Sequence, residues 1–202
     1  MIEGGEFWVG ADPGGEGKFG IAVLIENGKS CISCVNCTDD AIAFVQRHIS
    51  GMPCGVGIDA PLWWSSGRSG DRNADRWLRQ RYGLSGGEVQ AANSLRGAAL
   101  TQGVMFVQRM REIYPAVPVT ESHPKALLKA LTQGDWNVFA EIFGLKVVTA
   151  NNHERDALIA AVSAREGFQE RWLHDLSSNR STSEQDPNNY WLAPVHYFWP
   201  EK

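Results

Sequence analysis

The segment that decides the fold is Phe7–Leu24, which reads FWVGADPGGEGKFGIAVL. Two apolar runs, Phe7–Ala11 and Gly20–Leu24, flank a tip rich in Gly and Pro, and this pattern predicts two strands joined as a hairpin. Asp12 ends the first run. A carboxylate buried at the end of a strand is costly unless it gains a partner. Asp12 is therefore either a candidate site residue or an acceptor for the N–H groups of its own turn.

The composition is that of an ordinary globular protein. The chain has 202 residues, of which 43% are hydrophobic and 21% charged, and its formal net charge is −4. This acidic balance provides no global positive field for nucleic acid, so such a ligand would need local positive charge. The N-terminus lacks the pattern of a secretory signal, and no apolar run approaches the ~18 residues of a membrane span. We therefore expect one domain, residues 1–202, located in the cytoplasm.

The four cysteines have two interpretations. Cys31, Cys34 and Cys37 have C-x2-C-x2-C spacing, which some metal and iron–sulfur sites use, and Cys54 follows later. However, their segment alternates like a strand, which would place Cys34 on the face opposite to the other two. Because the three thiolates could not then converge, we favour buried free thiols in a reducing compartment.

The next elements extend the hairpin into a mixed sheet. Asn27-Gly28 predicts a turn into the cysteine strand, which completes a three-stranded antiparallel meander. Thr38 is the predicted N-cap of a helix over Asp39–Ile49. The following strand, Gly55–Leu62, is expected to be parallel to the first because a helix precedes it. It delivers Asp59, which is either a turn carboxylate or a second site residue.

Residues 63–114 are predicted to form an insertion of loops and helices after the fourth strand. The helix over residues 71–82 places Arg72, Asp75, Arg76 and Arg79 at i, i+3, i+4 and i+7. One interpretation is a solvated face with internal Asp–Arg pairs. The other is a phosphate clamp, because Arg suits bidentate contact with phosphate.

Two further features of the insertion are a tryptophan pair and a second helix. Trp63 and Trp64 lie in the loop before the arginine-rich helix and could stack on a nucleic-acid base. The second helix is predicted over Leu95–Ile113.

The C-terminal half is predicted to add one strand, several helices and a docked tail. The predicted elements are a strand over Val117–Glu121 and helices over Pro124–Leu131, Trp136–Phe143 and His153–Glu166. Helical residues are expected to continue to about Leu176. A polar mobile loop then spans 177–189, and an apolar segment, 190–200, docks on the body.

Acidic residues recur where these elements end or begin. Asp12, Asp59 and Glu121 each end a strand, and Asp156 lies in the first turn of a buried helix. Parallel strands present their carboxyl ends at one edge of a sheet, so we expect these acids to meet there. Clustered carboxylates repel one another, so either their pKa values rise or divalent cations lie among them. Hard oxygen ligands favour Mg²⁺ or Mn²⁺, and two such ions can support phosphodiester cleavage.

The order of these parts resembles the ribonuclease H-like fold. More closely, five segments are similar to the motifs of an uncharacterised bacterial and archaeal family of predicted ribonuclease H-like nucleases: GADPGGEGKFGIAVL, GIDAPLWW, DRNADRWLR, ESHPKAL and HERDALIAA. The resemblance implies a three-layer α/β fold with a mixed five-stranded sheet in the order 3-2-1-4-5. It also implies helices on both faces and a helical insertion after strand 4.

The resemblance implies roles for individual residues as well. Asp12, Asp59 and Asp156 would be the metal ligands, with Asp12 bridging two Mg²⁺ or Mn²⁺ ions, and Glu121 matches an acidic position of the family. Residues 75–79 would face the phosphates of a nucleic-acid substrate. His153, beside the helix acid, would either bind metal, transfer protons or be an ordinary surface residue.

Three classes of function remain open from the sequence. The first is a metal-dependent nuclease. The second is a nucleotide-binding phosphotransferase of the actin and sugar-kinase type, which shares the opening strand–turn–strand unit, although the turn is not a Walker A loop because Phe19 follows Lys18. The third is a non-catalytic binding module that keeps the fold.

Overall fold

The computed structural model of the protein describes residues 5–201; Met1–Gly4 and Lys202, which the predicted single domain includes, lie outside the described residues. The main strands are β1 Phe7–Asp12, β2 Phe19–Ile25, β3 Ser30–Val35, β4 Gly55–Ile58 and β5 Val119–Glu121. The helices are α1 Thr38–His48, α2 Asn73–Tyr82, α3 Gly97–Ile113, α4 Pro124–Thr132, α5 Trp136–Ile142 and α6 Asn152–Phe168. Short 3-10 turns span Ala92–Ser94 and Leu176–Ser178, and two-residue strands β6 (His174–Asp175) and β7 (Phe198–Trp199) pair with each other.

The five main strands form one mixed sheet in the order β3-β2-β1-β4-β5, which confirms the predicted order. The first three strands are antiparallel neighbours, and β4 lies parallel to both β1 and β5. In this register Ala11 lies opposite Ile58, and Ile58 lies opposite Glu121. The carboxyl ends of β1, β4 and β5 are therefore level at one edge of the sheet.

Glycines on one face of the sheet allow α6 to pack directly on the main chain. A Cβ atom added at Gly10 would lie 1.9 Å from the carbonyl oxygen of Ala157, and one at Gly57 would lie 1.9 Å from that of Ala160. Both distances are far below van der Waals contact, so only glycine permits this approach. The helix is consequently buried from Asp156 to Gly167.

The opposite face of the sheet is covered by α3 and α1. Ile58, which follows Gly57 and so points the other way, lies against Gly103 of α3. The α1 helix packs on β2 and α3, and the Thr38 hydroxyl donates a hydrogen bond of 2.7 Å to the Gln102 side chain. Helices thus cover both faces of the sheet.

Several predicted boundaries are wrong by a few residues. The N-cap of α1 is Cys37 rather than Thr38, whose side chain is bound to Gln102 instead of the helix. Helices α2 and α3 each begin two residues later than predicted, and β5 begins at Val119. The largest difference is at α6, which ends at Phe168 rather than near Leu176 because the chain reverses through Glu170, a residue with φ of 56°.

The cysteines are less buried than predicted. Cys31 and Cys34 lie on β3, and both are half-buried, as is Cys37, while Cys54 is exposed. The physical reason is that β3 is the edge strand of the sheet, with a neighbour on only one side. The expectation of buried thiols is therefore wrong.

The C-terminal segments pack against the body of the protein. In the apolar tail Val195, Tyr197 and Trp199 are buried. The polar segment 177–189, which was expected to be a mobile loop, is attached through Glu184, whose carboxylate accepts hydrogen bonds from the Trp63 indole and the backbone N–H of Asn73. Among residues 5–201, no helix combines the length and the apolar character needed to cross a bilayer.

Candidate functional site

A pocket of about 400 Å³ lies at the carboxyl edge of the three parallel strands. The backbone N–H of Asp59 donates to the carbonyl of Ala11 at 2.8 Å, and that of Ser122 donates to Ile58 at 2.8 Å, so the strand ends stay in register. The pocket is lined by Asp12, Asp59, Arg72, Asp75, Arg96, Glu121, Ser122, His123 and Lys125, among others. Three of the four predicted acids, Asp12, Asp59 and Glu121, thus line one pocket.

Strand alternation divides these acids between the two faces of the sheet. Asp12 pairs with Gly20, where an added Cβ would lie 2.0 Å from the carbonyl oxygen of His153, so this pair faces the start of α6. Glu121 is in register with Ile58, which faces α3. The carboxylates of Asp12 and Glu121 therefore point to opposite sides of the sheet.

Asp12 is held by the first turn of α6. The Nδ1 atom of His153 lies 2.7 Å from Oδ2 of Asp12. Burial raises the pKa of Asp12 above its ordinary value, and the hydrogen bond and charge of His153 lower it only in part. In return, the hydrogen bond to Asp12 raises the pKa of His153.

Asp59 is a carboxylate without a counter-ion. Within residues 5–201 it accepts no side-chain hydrogen bond and forms no ion pair. Burial raises its pKa well above the ordinary value, and the negative charges of Asp12 and Asp156 add to the effect. Asp59 is therefore within electrostatic range of both other acids.

Asp156 is the fifth residue of α6 and is 4% exposed, so it lies just past the first turn in which it was predicted. Its Oδ1 atom accepts from the Arg155 guanidinium, with Nη2 at 2.8 Å and Nε at 2.9 Å. Burial raises the pKa of Asp156, and the Arg155 charge opposes that shift. The charge of Asp12 also raises the pKa of Asp156, but Asp156 is paired with its own neighbour and is not among the residues that line the pocket.

The donor chemistry of this cluster suits a hard divalent cation. Three carboxylates, one of them uncompensated, provide the oxygen ligands that Mg²⁺ and Mn²⁺ prefer. They are not preassembled, since no three His, Cys, Asp or Glu side chains in the described part of the chain are arranged to hold an ion. Asp12 and Asp156 would have to exchange His153 and Arg155 for the cation.

The contacts of Arg72 decide between the two interpretations of the arginine-rich helix at this position. Its side chain is 2% exposed and donates to both oxygens of Glu121, at 2.6 and 2.8 Å, and to both oxygens of Asp75, at 2.8 and 3.0 Å. Its Cζ atom also lies 4.1 Å from the centre of the Trp63 ring. Its donors are used inside the protein, which favours the interpretation as an internal Asp–Arg pair over the phosphate clamp.

The same network accounts for Glu121 and Asp75. Burial raises the pKa of Glu121 while Arg72 opposes the shift, and Arg72 holds the pKa of Asp75 below its ordinary value despite burial. Glu121 also accepts from the backbone N–H of Leu62 at 2.9 Å. Both acids therefore act as structural partners of one buried cation, and Glu121 is separate from the cluster that faces α6.

The remaining arginines of α2 are also engaged internally. Arg79 forms an ion pair of 2.9 Å with Asp71 and donates to the carbonyl of Val89, and Arg76 donates to the Asp71 carbonyl and the Asn73 side chain. Neither of them lines the acidic pocket. The interpretation as internal Asp–Arg contacts describes this helix better than a phosphate clamp.

The two tryptophans have different environments. Trp63 is 3% exposed and its indole N–H donates to Glu184 at 3.1 Å, so it is not available to stack on a ligand. Trp64 is 44% exposed and lines a separate apolar groove rather than the acidic pocket.

Sequence reasoning missed two cations of the pocket, Lys125 and Arg96. Neither side chain makes an ion pair or hydrogen bond within residues 5–201. The charge of Lys125 lowers the pKa of Asp12 and Asp59, so it acts on the acid cluster. The feature that could have identified Lys125 as a pocket residue is its position in the motif ESHPKAL, because this places it in the first turn of the helix that follows β5.

His123 is a further pocket residue that the sequence did not single out. Its Nδ1 atom is buried without a hydrogen-bond partner among the described residues. Burial lowers its pKa to about 4, so the ring is neutral at physiological pH. The pocket therefore contains two free cations and one neutral imidazole in addition to its acids.

Together, the fold and the site define an α/β protein with an acidic pocket at the parallel edge of a mixed five-stranded sheet. The chain belongs to the family described as "Protein of unknown function (DUF429)", whose model matches residues 10–175. That range includes all four predicted acids, as well as Lys125 and Arg96. No curated protein and no solved structure matches the chain.

Proposed function

We propose that this protein is a divalent-metal-dependent nuclease with a ribonuclease H-like fold. The observation that carries the proposal is the half-buried Asp59 carboxylate, which lines the pocket, has no hydrogen-bond or ion-pair partner within residues 5–201 and is subject to the negative charges of Asp12 and Asp156. An anion held in this way costs stability unless a cation joins it, so its presence at the strand edge points to chemistry. The order of the sheet and the motifs that resemble predicted nucleases support the same conclusion.

Asp12, Asp59 and Asp156 would be the ligands of Mg²⁺ or Mn²⁺, and two such ions would bind. A divalent cation bound there lowers the pKa of bound water and offsets the charge on phosphoryl oxygens. Glu121 is not part of this ligand set because Arg72 occupies both of its oxygens.

The protein's own side chains orient the acids and attract the substrate. His153 pairs with Asp12 and Arg155 pairs with Asp156, so each of these acids is oriented by a cationic or neutral partner on α6. Lys125 and Arg96 replace the α2 arginines as the residues that attract phosphate, because they line the pocket and their charges are not used elsewhere in residues 5–201. A direct role of His153 in metal binding or proton transfer stays a prediction.

The charge of the protein limits the substrate. With a net charge of −4 and two free cations in the pocket, the protein offers little attraction for a long duplex. A short, structured or single-stranded nucleic acid fits this electrostatic balance better.

The first experiment measures metal binding by thermal unfolding. Melting is followed in EDTA, Mg²⁺ and Mn²⁺ for the wild type, for Asp59→Asn and for the control Asp39→Asn, a substitution at a surface carboxylate 77% exposed. At a concentration of about 100 Kd an ion stabilises a fold by about 2.7 kcal/mol, or roughly 6 °C for a chain of this size. We expect this shift for the wild type and the control and none for Asp59→Asn.

The second experiment measures hydrolysis. RNA, DNA, hybrid and junction substrates are incubated with wild type and Asp59→Asn in the ion that stabilises the protein. We expect cleavage of at least one substrate by the wild type alone. Equal cleavage by Asp59→Asn, or no cleavage of any substrate, would refute the proposal, and stabilisation by ATP alone would favour the phosphotransferase class.

A further inference from the structure

A second concavity beside the acidic pocket is lined almost entirely by apolar side chains. This concavity of about 370 Å³, the Trp64 groove, has walls that include Leu62, Trp64, Leu100, Val104, Met105 and Tyr190. No charged side chain from residues 5–201 lines it, and Trp64 and Met105 are each 44% exposed. Large apolar side chains collected in an open concavity of this size mark a binding surface.

The groove adjoins the acidic pocket. Pro61 lines both concavities, and α3 contributes Ala99 to the pocket and Leu100 to the groove. Trp64 follows Asp59 by five residues, so their Cα atoms lie within about 18 Å of each other even if the chain between them is extended. One ligand can therefore place an anionic group among the acids and cations and an apolar group in the groove.

We propose that the Trp64 groove binds a base of a single-stranded nucleic acid whose phosphate lies in the acidic pocket, a proposal that rests on the nuclease function above. The indole of Trp64 supplies a flat face for stacking, and a base carries no charge that the apolar walls would exclude. The base must be unpaired, since a base stacked in a duplex cannot present its face to a side chain. At about 3.4 Å per stacked nucleotide, the base lies at most about five nucleotides from the phosphate.

One polar side chain in the groove is suited to the edge of a base. The backbone N–H of Gln185 donates to the carbonyl of Trp64 at 2.8 Å, which fixes Gln185 at the groove wall. Its side-chain amide makes no hydrogen bond within the described range 5–201. An amide both donates and accepts, as the edges of all bases do.

The test measures binding without hydrolysis. Fluorescence anisotropy reports the affinity of a labelled 12-nucleotide oligothymidylate, and of a matched oligonucleotide without bases, in EDTA at low salt. All proteins carry Asp59→Asn, which prevents the proposed hydrolysis and removes one repelling charge. Added to this background are Trp64→Ala, Gln185→Ala, Met105→Ala and the matched control Met52→Ala, whose methionine is 50% exposed but outside the groove.

We expect the background protein to bind the oligothymidylate more tightly than the abasic strand. Trp64→Ala should weaken the first affinity roughly 5- to 150-fold, the range measured for loss of one base–aromatic stack, and leave the second unchanged. Gln185→Ala, which removes no contact within the described protein, should act in the same direction with a smaller effect, so the result does not depend on whether Trp64→Ala folds. Met52→Ala should change neither affinity.

Three results would overturn the proposal. Equal affinity for the two strands, with no effect of Trp64→Ala or Gln185→Ala, shows that the groove holds no base. Absence of binding to either strand would also show that the groove holds no base. A dimer in sedimentation that Met105→Ala dissociates shows that a second copy of the chain covers the groove. None of these readouts requires cleavage, so failure of the nuclease proposal is recorded separately by the hydrolysis assay.

Discussion

Replacement of Arg72 by methionine should destabilise the fold severely, although the two side chains have similar length. Arg72 is 2% exposed and is the shared partner of Asp75 and Glu121, which are also buried. Removing one partner of a buried ion pair typically costs about 3–5 kcal/mol, because the remaining charge is left uncompensated. At about 2.1 cal/mol/K of unfolding entropy per residue, this corresponds to a loss of roughly 7–12 °C in Tm.

The pH dependence of the free energy of unfolding would show whether uncompensated buried charge causes the loss of stability in Arg72→Met. In the wild type the pKa of Asp75 is lowered, so its stabilising contribution is present above the unfolded pKa of about 3.9 and is lost as the pH falls. In Arg72→Met the folded pKa values of Asp75 and Glu121 should both rise, so their penalty is present at neutral pH and is relieved on acidification. The stability difference between the two proteins should therefore narrow between pH 7 and pH 4.

Urea unfolding at several pH values measures this difference directly. The control is Arg109→Met, which removes solvent-screened ion pairs of a side chain 53% exposed and should therefore change stability far less than Arg72→Met at any pH. Adding Asp75→Asn and Glu121→Gln to Arg72→Met should restore part of the loss, because the buried charges disappear. A loss for Arg72→Met no larger than the control's, or one that does not change with pH, would refute the reasoning.

Two further predictions concern the sheet and the pocket. Gly57→Ala should cost at least about 2 kcal/mol in urea unfolding, because its Cβ would lie 1.9 Å from the Ala160 carbonyl oxygen. The control Gly15→Ala should not change stability, since nothing lies within 4 Å of the added Cβ. Equal stability of the two variants would contradict direct packing of α6 on the strands. The pKa of His123 is about 4 in the fold and about 6.5 when unfolded, so its neutral form stabilises the fold above pH 6.5 and that contribution is lost as the pH falls. Compared with His123→Gln, the wild type should lose about 2–3 kcal/mol more stability between pH 7 and pH 4.5, and parallel acid unfolding of both would show that His123 is solvated.

The strands of the sheet could be predicted from local patterns. Apolar runs bounded by Gly and Pro identified its strands, and the helix between β3 and β4 implied the parallel crossover that brings Asp12 and Asp59 to one edge. The order of the five strands followed from the same connections together with the resemblance. Local residue types determine these features, so they can be read along the chain.

The partners of individual charges could not be predicted in the same way. The spacing of Arg72 and Asp75 indicated a pair, but Glu121 is 49 residues away from Arg72, and only the register of β5 brings them together. The face to which Glu121 points depends on that register too, since a shift of one residue would turn it towards α6. Lys125 was missed because a lone lysine in a first turn has no distinctive pattern.

The glycine contacts beneath α6 have a consequence for how the acids can move. Because the helix rests on main chain without an intervening layer of side chains, sliding or rolling of α6 would drive backbone atoms into one another at Gly10 and Gly57. The backbone of Asp156 therefore stays in a fixed position relative to β1 and β4. Only rotation of the side chains can change the distances between the carboxylates. Loading of a ligand would then require side-chain rearrangement but no movement of α6.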